Sequence, residues 1–427
     1  MFKKVKDHTV ASESKKSART HEAILLSAAI LFRDRGYAAT TLRDIADAAN
    51  MKAGSIYYHF GSKMEILDEI LDCGLRDIHD NVQKALDDLV KETDYRKKIT
   101  AAIHAHLSSL LSRSEFTSAN IRNYGQLPQE IRSRHQPFRH AYANVWDNLF
   151  EKAQKAGVLR DDVKIKPLRQ FVLGALNWTV EWFDGKNYSV NVLADRIAKV
   201  ILDGVLIGPQ TVEPTTPVPA KPAPVAVGSA QKKSDRTREK ILKTAATLFQ
   251  RQGYASTTLR DIAATAQMQA GSIYYHFDTK SEILDIVLDR GLRDIHDAVE
   301  TVIKSHEPGG DYRVKFTAAV HEHLNQLLVC SEFTSANLRI YGQLSQELRK
   351  QHQPLRHSYS VLWDDLLREA KTAGILRQDV NVGPLRQFIL GALNWTVEWF
   401  DTEKYPIEML GERCAILLLD GISAKSK

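Results

Sequence analysis

The sequence predicts an all-α protein built from two tandem copies of one unit, and three observations carry that prediction. The octamer AGSIYYHF at residues 53–60 recurs letter for letter at 270–277. The same offset of 217 relates Gly36-Tyr37 to Gly253-Tyr254, the run 75–79 to 292–296, 114–117 to 331–334, and 177–184 to 394–401. It holds as far as Asp203-Gly204 and Asp420-Gly421 without insertion or deletion, so each copy has the size of a globular unit and not of a solenoid repeat. Within each copy the apolar period is helical almost throughout, and no alternating run with hairpin turns stands out.

The elements follow in order. Ile24, Ala28, Leu31 and Phe32 share one helix face, as do Ile241, Ala245, Leu248 and Phe249. Gly36 and Gly253 stand where a left-handed residue ends that helix. Thr41 and Thr258 cap a short second helix, TLRDIADAA or TLRDIAATA. A tight corner at Asn50-Met51-Lys52 then leads into the octamer. Two short helices around a three- or four-residue corner form a helix-turn-helix, whose second helix enters the major groove. Ser62-x-x-Glu65 and Thr279-x-x-Glu282 match the capping box and open a long fourth helix. Farther on, Phe171, Ala175, Trp178 and Trp182 form a stripe repeated by Phe388, Ala392, Trp395 and Trp399. Residues 209–224 hold six of the chain's 13 prolines and read as an extended linker. At about 3.1 Å per residue, the stretch 208–231 reaches on the order of 70 Å. The domains are therefore a head at 1–63, a body at 64–207, the linker at 208–231, a second head at 232–280 and a second body at 281–427.

Composition narrows the function. A hydrophobic share of 43% with 26% charge is that of a soluble globular chain. The N-terminal segment lacks the apolar core of a secretory signal, and no run of 18 apolar residues predicts a membrane helix. Cys73, Cys330 and Cys414 occupy three unrelated repeat positions, which speaks against a disulfide framework and for a reduced, cytoplasmic compartment. The net charge of +6 is unevenly placed: residues 1–63 carry 11 Lys and Arg against 6 Asp and Glu, and residues 228–280 carry 9 against 4. Two basic heads on bodies that are net acidic point to a polyanion partner. His104 and His106, like His321 and His323, are two residues apart and point about 200° apart on a helix, so neither pair predicts a metal site. No nucleophile–base motif, phosphate loop or zinc signature predicts an enzyme, and no cofactor is expected.

The stretches GYAATTLRDIADAANMKAGSIYYHFGSKMEIL and GYASTTLRDIAATAQMQAGSIYYHFDTKSEIL resemble the DNA-binding head of the TetR family of bacterial transcription regulators. The rest of each half has that family's length and helical character. The small residues Gly54, Ser55, Gly271 and Ser272 let the helix backbone approach base edges. Tyr57, Tyr58 and His59, with Tyr274, Tyr275 and His276, offer donors at phosphate reach, and the resemblance assigns DNA contact to them. Lys63 and Lys280 add charge beside a helix N-terminus, and Thr41 and Thr258 are expected to cap and to touch phosphate. Lys52 in one copy faces Gln269 in the other, so the two heads are expected to read similar but unequal half-sites. Lys15-Lys16 and Lys232-Lys233, read as preceding the first helix, serve equally as minor-groove arms or as solvated tails. Phe60 reads as core.

The resemblance also implies that the last two helices of each half, 167–184 with 190–206 and 384–401 with 407–422, pair into a four-helix bundle. Gly174-Ala175 and Gly391-Ala392 permit the close approach, so one chain is expected to form a pseudo-dimer; exchange of halves into a higher oligomer is the alternative. The body pattern YGQLPQEIR…HQPFRHAY…LGALNWTVEWF is similar to the acyl-CoA-thioester-responsive branch, which implies a small-molecule effector. Arg122, Arg132, Arg139 and Arg169, with Arg339, Arg349, Arg356 and Arg386, are candidates to receive its phosphates or to form ion pairs. Asn177, Trp178 and Glu181, with Asn394, Trp395 and Glu398, are pocket candidates, against a reading as core or interface. The expected function is a ligand-responsive repressor on a near-palindromic operator, the alternative an architectural or activating DNA binder without ligand control.

Overall fold

Most helix starts and stops recur at or within two residues of the repeat offset in the computed structural model. It describes residues 4–37, 40–113, 115–123, 129–203, 233–254, 256–307, 309–341, 344, 346–401 and 405–420; the linker lies outside them. The first copy runs α1 (Lys4–Arg35), α2 (Leu42–Ala48), α3 (Ala53–His59), α4 (Lys63–Asp87), α5 (Tyr95–Ser108), α6 (Glu115–Asn123), α7 (Gln129–Lys155), α8 (Ile165–Trp178) and α9 (Val190–Asp203). The second runs α10 (Lys233–Gln252), α11 (Leu259–Thr265), α12 (Ala270–Tyr274), α13 (Lys280–Lys304), α14 (Tyr312–Asn325), α15 (Glu332–Tyr341), α16 (Gln346–Thr372), α17 (Val382–Asn394) and α18 (Ile407–Asp420). No strand occurs among the described residues, and no helix there is long and apolar enough to cross a membrane.

Local chemistry accounts for these bounds. Thr41 and Asp44, like Thr258 and Asp261, close reciprocal capping boxes at α2 and α11. Ser62 and Thr279 accept the amide protons of Glu65 and Glu282 to start α4 and α13. Two expectations need correction. The first helix begins at Lys4, so Lys15 and Lys16 lie within α1 and not ahead of it. No proline or glycine precedes Gly36 to stop the helix sooner. Lys233 opens α10, and Lys232 lies outside the described residues. The tryptophan stripe also does not lie on one continuous α-helix. Thr179 and Thr396 donate their hydroxyls to the carbonyls of Leu176 and Leu393, both at 2.6 Å, where α8 and α17 tighten into 3₁₀ turns.

The described chain groups into two compact units, taken here in turn: residues 1–91 with 104–145, and residues 92–103 with 146–427. In the first, Ile24, Phe32, Ile45, Ile56, Phe60 and Ile66 form the core of head one, so Phe60 is core as expected. A Cβ placed on Gly74 of α4 would meet the Phe116 carbonyl oxygen at 2.6 Å, which only glycine allows where α4 crosses α6.

In the second unit, Ile241, Phe249, Ile262, Ile273 and Phe277 repeat the head core. Here α8 crosses α17 reciprocally. A Cβ on Gly174 would stand 2.6 Å from the Trp395 Cβ, and one on Gly391 would stand 2.6 Å from the Trp178 Cβ. Phe171 meets Phe388 edge-to-face at 6.3 Å, and Lys199 of α9 pairs with Asp379 at 2.6 Å.

Candidate functional site

Each head presents a recognition helix whose orientation follows from its own sequence. Ile56 and Phe60 are one turn apart and buried, which turns the neighbouring Tyr57 and Tyr58 outward, 62% and 85% exposed. Tyr274 and Tyr275 of head two are 59% and 82% exposed beside buried Ile273 and Phe277. The same pair of large aromatic side chains is thus left open to solvent on both heads. Gly54, Ser55, Gly271 and Ser272 lie exposed in the first turns of α3 and α12. A Cβ on Gly54 or Gly271 would meet nothing within 4 Å, so no packing inside the protein demands glycine there. Lys52 and Gln269 are exposed at the N-cap positions, where neither side chain bonds the helix. His59 is half-buried, its ring 5.4 Å from that of Tyr58, and His276 repeats this against Tyr275 at 5.2 Å.

Thr41 and Thr258 are exposed caps whose hydroxyls donate to Asp44 and Asp261. The capping bonds hold both carboxyls below the usual carboxylate range. Lys63 and Lys280 are employed within the heads. Lys63 Nζ donates to the carbonyls of Tyr37 and Thr40 at 2.8 and 2.6 Å, and Lys280 Nζ to those of Tyr254 and Thr257 at 2.9 and 2.7 Å. Each ammonium also lies over a tyrosine ring, and burial pushes it below the ordinary lysine value. These lysines fasten the loop before α2 or α11 and so fix where the capped helix begins.

The second unit holds a partly open cavity of about 260 Å³. Its walls come from α13, α14, α15, α16 and α17, and Trp178, Glu181 and Trp182 of the first copy close it. Two polar groups organise the interior. His323 Nε2 donates to Asn394 Oδ1 at 3.1 Å, while Nδ1 accepts from the Tyr359 hydroxyl at 2.7 Å. Burial pushes the imidazole down to about 4, so it is neutral near pH 7. Arg356 Nη2 donates to Asn337 Oδ1 at 2.6 Å, and its guanidinium lies 3.3 Å from the centroid of the Tyr341 ring. A π-turn at Gln326–Cys330 places Leu327 on the wall, and Ser335 donates its hydroxyl to the Leu327 carbonyl.

The pocket candidates divide accordingly. Trp178, Glu181, Asn394 and Arg356 line the cavity. Trp395 packs on Gly174 instead, and Asn177 is buried. Glu398 and Arg139 are not on this cavity's wall, and the side chains of Arg122 and Arg339 lie outside the described residues. Arg169 and Arg386 pair with Asp147 and Asp364 at 2.8 and 3.2 Å, so ion pairing is their role. Arg349 donates to the Leu344 carbonyl, and Arg132 is half-buried. Sequence reasoning missed His323, Asn337, Tyr341 and Tyr359, although all four recur at the repeat offset as His106, Asn120, Tyr124 and Tyr142. His106 and His323 bond Tyr142 and Tyr359, and among the described residues no group of three or more His, Cys, Asp and Glu is placed to hold a metal ion.

Two copies of an outward-facing helix-turn-helix on an all-helical body define a tandem DNA-binding regulator. Residues 24–70 and 241–287 match the family described as bacterial regulatory proteins, tetR family. Residues 92–205 and 309–422 match the tetracyclin repressor-like C-terminal domain. The chain belongs to the TetR family, and it is a DNA-binding regulator and not an enzyme. It is similar to the HTH-type transcriptional repressor KstR2 of Rhodococcus jostii, 31% identical over 204 residues, 45% of this chain and 93% of the relative. It is also similar to the fatty acid metabolism regulator protein of Bacillus subtilis, 20% identical over 43% of this chain and 93% of that protein. Among solved structures, AibR in complex with isovaleryl coenzyme A and operator DNA aligns at 22% identity, with 43% of this chain, 98% of that one and a TM-score of 0.39.

Proposed function

We propose that the chain is a ligand-released repressor in which one polypeptide supplies both heads to a near-palindromic operator. The observation that carries this reading is the pair of matching recognition helices, each with two tyrosines turned to solvent. Tyr57, Tyr58, Tyr274 and Tyr275 contact the DNA backbone with His59 and His276. Gly54, Ser55, Gly271 and Ser272 admit close approach, and Lys52 and Gln269 make the half-sites unequal. The repressor polarity follows the KstR2 relative, a transcriptional repressor by name. The cavity receives the effector, proposed to be an acyl-CoA thioester; the Bacillus relative, by its name, regulates fatty acid metabolism. An effector that binds the DNA-incompetent conformation more tightly shifts the population off the operator. No cofactor is required, and the proposed location is the cytoplasm.

Selection of bound DNA from a random pool supplies the operator for the decisive test. Tyr58→Ala with Tyr275→Ala should abolish its gel shift, leave thermal melting unchanged and flatten the salt dependence of residual binding. Unchanged affinity in the double variant defeats the assignment of α3 and α12.

A further inference from the structure

The aromatic ring that ends each recognition helix is held from the first helix of its own head, and the two heads hold it with different side chains. Phe60 closes α3, its amide donating to the Ile56 carbonyl at 2.9 Å, and Phe277 makes the same bond to Ile273. Both rings are buried. In head two the Arg238 guanidinium of α10 lies 4.9 Å from the centroid of Phe277. The repeat offset puts His21 of α1 in that place in head one. Its imidazole stacks on Phe60 at 4.7 Å with 24° between the planes. It also meets the His59 ring edge-on at 6.1 Å, and its Nε2 stands 3.3 Å from Glu69 Oε2 of α4. Head two has Ile286 at the position of Glu69.

Arginine stays charged, whereas an imidazole changes charge between pH 5 and 8. A cation over an aromatic face is attracted by the ring, and a neutral imidazole forgoes that attraction. The titratable groups facing His21 are His59 from α3 and Glu69 from α4. On its own helix the positions one turn away are Ser17, Ala18, Ile24 and Leu25, none of them charged. On α4, Glu65 bonds the Gly61 amide and Asp72 bonds Arg76, which leaves Glu69 to pair with a protonated His21.

We propose that position 21 or 238 sets the seat of the recognition helix, and that His21 makes head one, unlike head two, hold DNA more tightly as pH falls. Protonated His21 links α1, the Phe60 ring and Glu69, and so fixes the end of α3 beside His59. The neutral imidazole keeps the stack and loses both charge contacts, while Arg238 keeps its contact throughout. His21 acts through Phe60 and is a positioning residue. The inference rests on the reading of α3 and α12 as recognition helices, and adds an inequality between the heads that lies behind those helices and not on the DNA-facing side.

The test titrates the full chain onto the selected operator by fluorescence anisotropy from pH 5 to pH 8. His59 and His276 add a pH dependence that every variant shares, so differences from the parent are what count. His21→Arg should match the parent at pH 5 and bind about two- to fivefold more tightly at pH 8, the size of one cation over a ring converted to affinity. His21→Gln should bind like the parent at pH 8 and lose about that factor at pH 5. Arg238→His with Ile286→Glu transplants the pair into head two and should steepen the profile by about the same factor. Melting curves at both ends of the range establish that each variant is folded during the titration. Profiles that run parallel for the parent and all three variants overturn the proposal, since a merely structural role would shift affinity equally at every pH. An intact gel shift in Tyr58→Ala with Tyr275→Ala defeats the recognition-helix reading by itself. Parallel profiles beside a tyrosine variant that no longer binds sink only the role of His21.

Discussion

At the scale of single residues, the most telling feature is what Gly54 and Gly271 lack. Glycine inside a helix costs about 0.5–1 kcal/mol relative to alanine, and neither position has a neighbour or a positive φ to justify it. Gly54→Ala with Gly271→Ala should therefore raise thermal stability by about that amount per head. The same pair should lower operator affinity by about tenfold or more, a loss of roughly 1.4 kcal/mol. Calorimetry and a gel shift on the same preparation decide it; stability and affinity moving together refutes the claim. His323 gives a second residue-scale expectation. Its folded pKa of about 4 lies below the usual 6.5, so between those values the unfolded chain binds the proton more readily. Stability is complete above pH 6.5 and falls as pH drops toward 4, by up to roughly 3 kcal/mol for this group. His323→Gln should remove that part of the slope in urea melts between pH 7 and pH 4, and parallel slopes for variant and parent would dismiss it. The exposed tyrosines were legible in the sequence because Ile56 and Phe60 fix the helix face locally. The internal employment of Lys63 was not, since its carbonyl partners at Tyr37 and Thr40 lie more than twenty residues back, in a loop.

At the scale of elements, the corner between the two helices of each head turns on one left-handed residue, Asn50 with φ 53° and Gln267 with φ 54°. Asparagine tolerates this region because its short side chain can bond locally, and glutamine lacks that advantage. Gln267→Asn should stabilise head two by about 0.5–1 kcal/mol, part of the roughly 1–2 kcal/mol cost of a left-handed residue. Proteolysis of the head under native conditions should slow in step. A variant that unfolds no later than the parent removes the corner as a source of strain. Capped helices and the corner could be read from the sequence because each is encoded within a few residues. The cavity could not. Its wall joins five helices of one copy to a turn of the other, and two features that shape it are invisible to periodicity. One is the π-turn at Gln326–Cys330; the other is the crossing at Gly291, where a Cβ would stand 2.3 Å from the Phe333 carbonyl oxygen. The 3₁₀ turn that carries Glu181 was hidden for the same reason, inside a stripe that reads as continuous helix.

At the scale of the whole molecule, the expectation is that one chain occupies one operator. Within the second unit α8 and α17 meet where Gly174 receives Trp395 and Gly391 receives Trp178, a contact too close for any larger residue. A separated half would leave that apolar face, with Phe171 or Phe388 beside it, exposed to water. The proline-rich linker holds the second half within reach at an effective concentration on the order of millimolar, so pairing within a chain should outcompete pairing between chains at micromolar protein. Light scattering on the free protein should give a mass near 48.1 kDa, and the DNA complex should contain one chain per duplex. A stable species of twice that mass carrying four heads would establish exchange of halves between chains instead. Gly174→Leu with Gly391→Leu sharpens the test by forcing α8 and α17 apart. If the reciprocal contact holds the halves together, this variant should self-associate through the uncovered faces and lose cooperative binding to the two half-sites. An isolated head should still bind its half-site weakly. A variant that stays at the single-chain mass and grips the full operator like the parent would show that the linker alone suffices to keep the heads together.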